Sequence, residues 1–567
     1  MYDVIIIGAG IVGCATARAL SRYALDILVI EKSADVAVGA TKANSGILHA
    51  GYDCTPGTLK AKMNVRGLQL YQTLAQELAI PHRMNGSMVV SIGGDAGDDG
   101  GLTKLRQLYD QGITNDVTGM ELLTAAQARA LEPNLHPSVN GALRATSAGI
   151  ISPYEAAIAF AENAAANGVR FLLETAVTDV NPLGPDVPLP EISDIGKMPS
   201  YVVRTTRHGL ADEYHARLVI NAAGTESGAV ANRHRIHPQR GQYYLLDNTQ
   251  RDLIGHTVFQ LPTDRGKGVL IAPTVDGNVL LGPTAEAINE TIDNNQSIND
   301  PAAMTSSNVI DTSNVAVRNR NQTFDTSNVA CHNRHHATAT TRDGLVEALD
   351  KARLTLSHIP IGDRITAFAG VRAKHADGDF ILEEEPAGFI HAIGIDSPGL
   401  TAAPAIAQRL AEMALEYLAK TARKQGAGKR EPVLKSDFIA QRAPIVRLRD
   451  LPPDAQKSLI TSNPAYGAVV CRCETITQAE ITEAMRRFAA LQNPVAASQP
   501  VVICDPLNKS SAAIPANLDA IKRRSRAQMG RCQGGFCTVR LVELISREYA
   551  IPEAAVTKNG RGSEIVH

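Results

Sequence analysis

The chain has 567 residues, 44% of them apolar, and its 56 Lys and Arg against 58 Asp and Glu give a formal net charge of −2. This length predicts two or three domains with an ample core, and the balanced charge excludes a whole-chain attraction to nucleic acid or to an anionic membrane. We expect no signal peptide, because the apolar start lacks a basic region. We expect no transmembrane span, because a proline and three charged residues interrupt the most apolar stretch, 400–418.

The start of the chain has the pattern of a dinucleotide-binding turn. Residues 4–7 and 26–30 predict buried strands, and residues 14–20 predict a small-residue helix. Between the first strand and the helix lies Gly8-Ala9-Gly10-Ile11-Val12-Gly13, a G-x-G-x-x-G turn, and the second strand ends at Glu31. Such glycines permit close backbone approach to a pyrophosphate, and the acid would meet a ribose hydroxyl. The order of these parts predicts dinucleotide binding, against the alternative of a Gly-rich turn packed for its own sake.

A second Gly-rich segment follows at 39–46, and its small polar side chains let the backbone lie against a ligand. A nicotinamide dehydrogenase needs no such segment here, whereas an extended FAD would pass it towards the flavin ring. The run from Asn44 to Gly51, Asn-Ser-Gly-x-x-His-Ala-Gly, resembles a segment of the glycerol-3-phosphate dehydrogenase and L-2-hydroxyglutarate oxidase group of D-amino-acid-oxidase-like flavoproteins. In that group the run lies beside the flavin and its His, matched by His49, faces the substrate. A buried structural His49 bonded to a carbonyl is the alternative.

Hydrophobic periodicity predicts further helices and strands along the chain. The predicted helices are 59–78, 102–108, 125–131 and 154–167, and the predicted strands are 87–92, 170–173, 269–273, 278–283, 364–371 and 389–393. The strands 269–273 and 278–283 form a predicted hairpin around Asp276-Gly277.

The segment 288–341 departs from this pattern, because it is rich in Asn, Thr, Ser and Asp and repeats Asp-Thr-Ser-Asn-Val-Ala at 311–316 and 325–330. Its composition predicts a disordered surface insertion. Cys331 and the nearby His332, His335 and His336 fit a metal site less well than a chance grouping in such a tract.

Three later segments extend the resemblance to the flavoprotein group. They are 174–180, 218–224 and 394–401, the last being Gly-x-x-Ser-Pro-Gly-Leu-Thr at the start of a helix that runs to 418. A helix N-terminus aimed at the flavin would stabilise the negative charge of the reduced ring. Beyond the first turn and Glu31, the FAD contacts that the resemblance implies are Lys32, Thr41, Asn44, Ser45, Gly46, Val177, Ala223, Gly224, Gly394, Ser397, Gly399, Leu400 and Thr401.

Four residues are candidates for contact with an anionic substrate. His49 is the candidate base or hydroxyl orienter. Arg372 and Lys374 are candidates for an anion anchor, since Arg binds a carboxylate or phosphate through two bonds and Lys adds a point charge. Arg240, in a stretch that begins a long strand over the active site in the resembled group, is a weaker candidate whose alternative is a surface strand charge.

Four cysteines near the C-terminus form two close pairs, Cys471 with Cys473 and Cys532 with Cys537. Four thiolates suit an iron–sulfur cluster or zinc, although the single residue between the first two is unusual for structural zinc. The strings Cys-Arg-Cys-Glu and Arg-Cys-Gln-Gly-Gly-Phe-Cys resemble the bacterioferritin-associated-ferredoxin-like 2Fe–2S domain of anaerobic-type glycerol-3-phosphate dehydrogenase A subunits. A nearby insertion carries Cys504, which we treat as a bystander. The basic run 522–526 predicts a solvated helix face rather than a guide for an electron partner.

The resemblance covers nearly the whole chain and implies an α/β fold. A Rossmann-like FAD-binding domain would be interleaved with an antiparallel-sheet substrate domain and followed by a small iron–sulfur domain. The predicted boundaries are 1–86, 146–236 and 364–420 for the FAD-binding domain, 87–145 and 237–363 for the substrate domain, 421–462 for a linker, 463–550 for the 2Fe–2S domain and 551–567 for a tail.

The implied function is oxidation of sn-glycerol-3-phosphate to dihydroxyacetone phosphate by hydride transfer to FAD. One alternative is oxidation of L-2-hydroxyglutarate, and another is a non-catalytic electron relay that holds FAD and a cluster. The implied partners are an anionic small molecule and an electron-accepting subunit or quinone, with no nucleic acid. The expected location is the cytoplasm, with any membrane association peripheral and through partners.

Overall fold

A computed structural model describes residues 1–93, 100–183, 201–261, 268–288, 337–424, 432–493 and 514–566. The predicted insertion 288–341 lies outside these ranges except at its ends, and so do Cys331 with its neighbouring histidines and Cys504.

The described residues form 22 strands and 12 α-helices. In chain order the strands are β1 (Tyr2–Ile7), β2 (Ile27–Ile30), β3 (Ile47–Leu48), β4 (His82–Arg83), β5 (Ser87–Ile92), β6 (Met120–Thr124), β7 (Val139–Ala145), β8 (Gly149–Ile151), β9 (Arg170–Leu172), β10 (Ala176–Pro182), β11 (Tyr201–Arg207), β12 (Leu210–Asn221), β13 (Ile236–Leu246), β14 (Thr257–Gln260), β15 (Leu270–Pro273), β16 (Val279–Gly282), β17 (Glu286–Ala287), β18 (Arg364–His375), β19 (Ile381–Glu384), β20 (Phe389–Ile393), β21 (Val469–Cys471) and β22 (Ile476–Thr477). The α-helices are α1 (Ile11–Leu20), α2 (Leu59–Glu77), α3 (Gly100–Thr114), α4 (Ala125–Leu131), α5 (Pro153–Ala166), α6 (Ser227–Val230), α7 (Arg342–Arg353), α8 (Gly399–Lys424), α9 (Pro453–Ser462), α10 (Gln478–Gln492), α11 (Leu518–Ser525) and α12 (Thr538–Tyr549).

The first sheet forms the centre of the FAD-binding fold predicted from the sequence. Within the described residues its strand order is β10-β11-β12-β1-β2-β9, and β20 pairs with β12 and β19 with β20. The pairs β1–β2, β1–β12, β2–β9 and β12–β20 are parallel. The apolar face of α1, with α5 and α8, packs against this sheet in one continuous core, which is why β1 reads as an almost unbroken apolar run.

The second sheet takes most of its strands from the segments predicted as the substrate domain, and its described strands run in the order β17-β13-β16-β15-β14-β5-β7-β6. Strand β18, which comes from a segment predicted as part of the FAD-binding domain, pairs with β13 in this sheet. The pairs are antiparallel except β14–β5, which is parallel, so the expectation of a purely antiparallel sheet is wrong at this pair. The predicted hairpin around Asp276-Gly277 is confirmed by the antiparallel pairing of β15 with β16. Strand β18 continues past the predicted end at residue 371, so Arg372 and Lys374 lie within it.

The C-terminal part packs directly on the FAD-binding fold. The predicted linker 421–462 is structured where it is described, with α9 and a bond from the Ala24 N–H to the Val433 carbonyl at 2.8 Å. The prediction that 522–526 is a solvated face is wrong, because Arg523 and Arg524 on α11 are only 5% and 4% exposed. Among the described residues no helix combines the length and the apolar character that crossing a bilayer requires.

Candidate functional site

A cavity of about 720 Å³ is lined by residues from both large sheets and from the loops that follow their strands. It brings together segments that are far apart in the sequence, as FAD binding by this fold requires. The predicted site residues that line it are Gly8, Gly10, Glu31, Lys32, Thr41, Asn44, Ser45, His49, Val177, Ala223, Gly224, Arg372, Lys374, Ser397, Gly399 and Leu400. The predicted residues that do not line it are Gly13, Gly46, Gly394, Thr401 and Arg240.

The first glycine turn is held in shape by close backbone packing. Gly8 has φ +97°, a value that L side chains rarely adopt. A Cβ on Gly13 would lie 2.0 Å from the Gly8 carbonyl oxygen, so this glycine serves the packing of α1 against the turn rather than contact with a ligand. The Thr41 hydroxyl accepts a hydrogen bond from the Ile11 N–H at 3.0 Å and ties the second Gly-rich segment to the first turn of α1.

Glu31 lies at the end of β2, as predicted, and its carboxylate accepts hydrogen bonds from the Ala9 N–H at 2.7 Å and the Ser33 N–H at 2.8 Å. These bonds fix the carboxylate at the cavity wall beside the glycine turn. Lys32, the next residue, forms an ion pair with Glu226, which also lines the cavity. An acid fixed here can accept a hydrogen bond from a ribose hydroxyl while it stabilises the turn.

The Asn44 side chain stabilises the loop that carries it. Its Nδ2 donates to the Thr41 carbonyl at 2.7 Å, and its Oδ1 accepts from the Gly46 N–H at 2.7 Å. Gly46 has φ +67°, and a Cβ there would lie 2.5 Å from the Ile151 carbonyl oxygen. Asn44 and Gly46 therefore shape the loop that presents Ser45 to the cavity.

His49 is held at the cavity by its backbone. Its N–H donates to the Thr401 hydroxyl at 2.9 Å, and its carbonyl accepts from Asn64 Nδ2 at 3.0 Å. The Thr401 hydroxyl in turn donates to the Ile47 carbonyl at 3.1 Å. Thr401 thus joins the His49 segment to the start of α8, and the His49 ring lies 5.8 Å from the Phe259 ring, centroid to centroid.

The N-terminus of α8 opens onto the cavity. The helix begins at Gly399, and Ser397, Gly399 and Leu400 line the cavity. The first N–H groups of a helix lack partners within the helix and carry the positive end of its dipole. Gly394, which precedes this turn, has φ +70°, and a Cβ there would lie 2.8 Å from His375 Cβ, so its part is close packing against β18.

Arg372 and Lys374 lie on one face of β18, at another part of the cavity wall. Arg372 is paired in register with Gln239 on β13, and its Nη1 donates to Gln239 Oε1 at 3.3 Å. A Cβ on Gly241 would lie 3.1 Å from Arg372 Nη2, so the small residue leaves room for the guanidinium. Two cationic residues in the lining of one pocket suit a phosphate or carboxylate.

The structure does not bring Arg240 to this pocket. Because side chains alternate along a strand, Arg240 points to the opposite face of β13 from Gln239 and Gly241. Its guanidinium contacts both carboxylate oxygens of Glu286, with Nε–Oε2 at 3.0 Å and Nη2–Oε1 at 2.6 Å.

Sequence reasoning missed several side chains of the cavity wall and of its support: Asn64, Gln239, Tyr243 and Phe259. Side chains alternate along the strand 236–246, which places Gln239 and Tyr243 on one face. These two residues could therefore have been predicted once this segment was assigned as a strand. Nothing in the sequence near Asn64 or Phe259 indicates a partner that is far away in the chain.

The four C-terminal cysteines converge as predicted. The Sγ atoms of Cys471 and Cys473 are 3.8 Å apart, and those of Cys473 and Cys532 are 3.7 Å apart. The Cys471 thiol hydrogen-bonds Cys537, which raises the pKa of Cys471 and lowers that of Cys537. Although burial raises it, the pKa of Cys532 is lowered overall, because the N–H groups of Phe536 and Gly534 point at its sulfur.

The Cys473 sulfur therefore lies next to one sulfur from each of the two cysteine pairs. Across the described ranges, however, no set of three or more His, Cys, Asp or Glu side chains already stands in the arrangement of a metal-ion site. The cysteines thus provide the donor atoms but not, in this structure, a finished coordination shell.

Comparison with known proteins agrees with the geometry of the cavity. The profile of the family described as FAD dependent oxidoreductase (DAO) matches residues 3–413. The chain belongs to this family. It is therefore a FAD-dependent oxidoreductase, and the prediction of an enzyme rather than a non-catalytic relay is confirmed.

Among known proteins, a glycerol 3-phosphate dehydrogenase from Caloramator mitchellensis is 36% identical over 573 residues, covering 100% of this chain and 98% of the relative. A glycerol 3-phosphate oxidase from Mycoplasma pneumoniae is 27% identical and covers 71% of this chain and 92% of its own. An L-2-hydroxyglutarate dehydrogenase from Caenorhabditis elegans is 31% identical over 50% of this chain and 63% of the relative.

Solved structures show the same fold. The dithionite-reduced L-alpha-glycerophosphate oxidase of Mycoplasma pneumoniae, with FAD bound, has a TM-score of 0.61 at 24% identity, covering 78% of this chain and 99% of that one. Glycine oxidase from Geobacillus kaustophilus has a TM-score of 0.55 at 20% identity over 73% of this chain and 95% of that one.

Proposed function

We propose that this enzyme oxidises sn-glycerol 3-phosphate to dihydroxyacetone phosphate. The observation that carries the proposal is the 36% identity to a glycerol 3-phosphate dehydrogenase, which extends over the whole chain and so includes the cysteine-bearing C-terminal part. The cavity supports it independently, because it combines the predicted FAD segments with two cationic side chains, Arg372 and Lys374.

L-2-hydroxyglutarate is the second candidate, since it too is an anionic secondary alcohol. The 31% identity to L-2-hydroxyglutarate dehydrogenases is limited to 50% of this chain. The match over the whole chain to a glycerol 3-phosphate dehydrogenase favours glycerol 3-phosphate, and the experiment below compares both.

FAD would be held by the residues that the cavity brings together. The glycine turn with Gly8 and Gly10 and the N-terminus of α1 would bind the pyrophosphate, and Glu31 would bind the adenosine ribose. The segment around Ser45 and the start of α8 would bind the flavin portion. When bound, FAD supplies the acceptor for the electrons that leave the substrate C–H bond.

The chain's own groups bind and orient the substrate. Arg372 binds the phosphate through its planar guanidinium, and Lys374 adds a second positive charge. His49 accepts the proton of the alcohol that becomes the ketone, or orients that hydroxyl group, from a position fixed by Thr401 and Asn64. These assignments require that the phosphate and the hydroxyl group of one substrate molecule be bound at the same time.

The decisive experiment is anaerobic reduction of the purified flavoprotein by each alcohol. We expect glycerol 3-phosphate to bleach the flavin absorption and L-2-hydroxyglutarate to leave it largely unchanged. Bleaching by L-2-hydroxyglutarate alone would reverse the substrate assignment.

The anion anchor is tested by Arg372→Ala, with Arg364→Ala as a matched control on the same strand. Arg364 is exposed and donates to its neighbour, the Ile361 carbonyl, away from the cavity. Since a hydrogen bond to a charged group contributes about 1.5–3 kcal/mol, we expect the dissociation constant of glycerol 3-phosphate to rise at least about tenfold for Arg372→Ala only. An unchanged constant for Arg372→Ala would remove this residue from the site.

We further propose that Cys471, Cys473, Cys532 and Cys537 hold a 2Fe–2S cluster. The proposal is supported by four converging thiols and by N–H groups directed at the Cys532 sulfur, a feature that tunes cluster potentials. Electrons would pass from this end of the molecule to a partner subunit or a quinone.

The cluster is tested by metal analysis and by the visible and paramagnetic resonance spectra of protein prepared without air. We expect two iron and two sulfide per chain, and Cys532→Ala should lose both while it retains FAD. One zinc and no iron would establish a structural zinc site instead.

A further inference from the structure

One surface of the C-terminal part carries exposed apolar side chains next to the cysteines. Phe536 is 80% exposed and Val539 is 67% exposed, and no other large apolar side chain in the described ranges exceeds these values. Phe536 directly precedes Cys537, and Val539 follows one turn later on α12. A large aromatic ring left in water beside a functional centre is typical of a surface that another molecule covers.

The cysteines open towards solvent on this part of the surface. Cys473 is exposed and Cys532 is half-buried, whereas Cys471 and Cys537 are buried at 0% and 1%. A centre held by the four sulfurs would therefore be reached most easily from the side of Cys473 and Cys532. Because electron transfer between molecules weakens steeply with distance, this side is the favourable point of exit.

Three exposed arginines adjoin these residues in the sequence. Arg472 lies between two of the cysteines, Arg531 precedes Cys532, and Arg540 follows Val539, and all three are exposed. Arg531 also contacts Asp247 at 3.3 Å, and Glu543 is an exposed acid one turn further along α12. Three arginines against these two acids leave a positive rim around an apolar centre, the composition of an interface for an acidic partner.

We propose that Arg472, Cys473, Arg531, Phe536, Val539 and Arg540, here called the exit face, form the docking site of an acidic protein that carries one electron at a time. The inference rests on the proposed function, because it assigns the outlet for the electrons that the substrate releases. Oxidation of one alcohol to a ketone releases two electrons and two protons. Two carrier molecules, docking in turn, take one electron each, and the protons pass to solvent.

The test measures how fast the holoenzyme reduces the soluble domain of cytochrome b5, an acidic one-electron carrier, with glycerol 3-phosphate as the reductant. A basic cytochrome c serves as the carrier of opposite charge, and a water-soluble quinone serves as the small neutral acceptor. We expect cytochrome b5 to be reduced faster than cytochrome c at low ionic strength, and we expect this preference to disappear as salt screens the charges.

Variants locate the docking site. Arg472→Glu combined with Arg540→Glu should lower kcat/KM for cytochrome b5 by about tenfold at low salt. The control is Arg353→Glu, which changes an exposed arginine on α7 and should leave kcat/KM as it is.

Phe536→Ser should raise KM for cytochrome b5 by about tenfold or more, as loss of an aromatic anchor does. The control is Leu210→Ser, which changes an apolar residue that is 66% exposed on β12 and should leave KM as it is. Val539→Ser removes the second exposed apolar side chain of the exit face, at a position that does not adjoin a cysteine, and it should also raise KM for cytochrome b5. Reduction of the quinone should be unchanged throughout.

Three results would overturn the proposal. The first is equal effects of Phe536→Ser and Leu210→Ser, and the second is faster reduction of cytochrome c than of cytochrome b5 by the unmodified enzyme at low salt. The third is a loss of quinone reduction that parallels the loss with cytochrome b5, which would make the exit face a quinone site. Enzyme reduced beforehand with dithionite, then freed of it, is assayed in parallel, so docking remains measurable even if glycerol 3-phosphate is not the substrate.

Discussion

His49 shows how a single residue in this site depends on partners that are distant in sequence. Its N–H and carbonyl are bound by Thr401 and Asn64, both of which are fully buried. Thr401 does not line the cavity, although the resemblance placed it among the FAD contacts. Its position between the His49 segment and α8 instead indicates that it aligns the proposed base with the helix N-terminus that opens onto the cavity.

At this scale we predict the effect of Thr401→Val, which keeps the shape of the side chain and removes the hydroxyl. Loss of a buried hydrogen bond leaves the His49 N–H without its acceptor, at a cost of about 1–3 kcal/mol. We expect kcat to fall about tenfold or more, with little change in KM for glycerol 3-phosphate.

The matched control is Thr421→Val on the same helix, whose hydroxyl donates to the carbonyls of Tyr417 and Leu418 in its own turn. It should retain wild-type kcat. Steady-state kinetics with flavin content determined for each variant provide the measurement, and equal kcat for both variants would contradict the role of Thr401.

Helix α1 shows how an element is fixed by one glycine. Its residues Val12, Cys14 and Ala15 are buried against the sheet, and Gly13 brings the helix within contact of the Gly8 carbonyl. The helix starts without a side-chain cap, and its first turn carries no acidic residue. The N-terminus is therefore left positive where a pyrophosphate would bind.

At the scale of the element we predict that Gly13→Ala disrupts the FAD site. A Cβ placed 2.0 Å from a backbone oxygen forces the helix away from the turn, a change that costs at least about 1–3 kcal/mol for an overpacked core. We expect a lower melting temperature and little bound FAD.

Gly362→Ala is the control for this change, because a Cβ at Gly362 would meet nothing within 4 Å and its φ is not in the left-handed region. Thermal unfolding and the ratio of flavin to protein absorbance distinguish the two variants. Normal FAD content in Gly13→Ala would show that the turn still binds FAD when α1 lies farther from the Gly8 carbonyl.

At the scale of the whole molecule, buried charges join the C-terminal part to both other domains. Arg523 and Arg524 bind the Asp35 carboxylate at 2.7 and 2.8 Å, just beyond Glu31 on the FAD-binding fold. Arg526 binds Glu474, the residue after Cys473, at 3.0 Å and also pairs with Asp276 in the β15–β16 turn. The cysteine-bearing part is therefore docked through specific ion pairs, and its position relative to the cavity is fixed by them.

We predict that Asp35→Asn weakens this docking in a pH-dependent manner. Burial raises the pKa of Asp35, but Arg524 and Arg523 outweigh it, so the pKa lies below its usual range. Such a carboxylate stabilises the fold above its unfolded pKa of about 3.9, and the stabilisation is lost as the pH falls through the lower folded value. At pH 7, removal of one member of a buried ion pair costs about 3–5 kcal/mol.

Thermal unfolding of Asp35→Asn and of the wild type between pH 7 and pH 3 provides the measurement. The difference in melting temperature should be large near pH 7 and should shrink below about pH 4. Asp350→Asn, an exposed acid paired with Arg353 on α7, should melt as the wild type does throughout. A difference for Asp35→Asn that grew in acid would contradict the ion-pair explanation.

Local patterns were sufficient to predict many elements of this protein. The apolar run 4–7, the glycine turn and the 389–393 strand appear where the sequence places them, because buried parallel strands and tight turns have strong local signatures. Gly8, Gly10, Glu31 and Ser45 also line the cavity as predicted, since their segments carry motifs that specify a backbone shape.

Other predictions needed information that is not local. The basic run 522–526 has the composition of an exposed helix face, yet Arg524 is buried because Asp35 and Glu162, hundreds of residues earlier, supply its partners. Arg240 was a candidate for the same pocket as Arg372, but the register of β13 and β18 sets Gln239 opposite Arg372 and Arg240 opposite Val371, and the Arg240 guanidinium pairs with Glu286.

The sequence by itself determined the dinucleotide turn, the order of the flavoprotein segments and the two closely spaced groups of cysteines near the C-terminus, because each depends on residue types at short spacings. Tertiary structure alone decided which side chains of β13 and β18 face the cavity, which groups hold His49, and how the cysteine-bearing part docks on the rest. Those properties depend on strand register and on contacts between residues far apart in the chain, and neither is encoded in a local pattern.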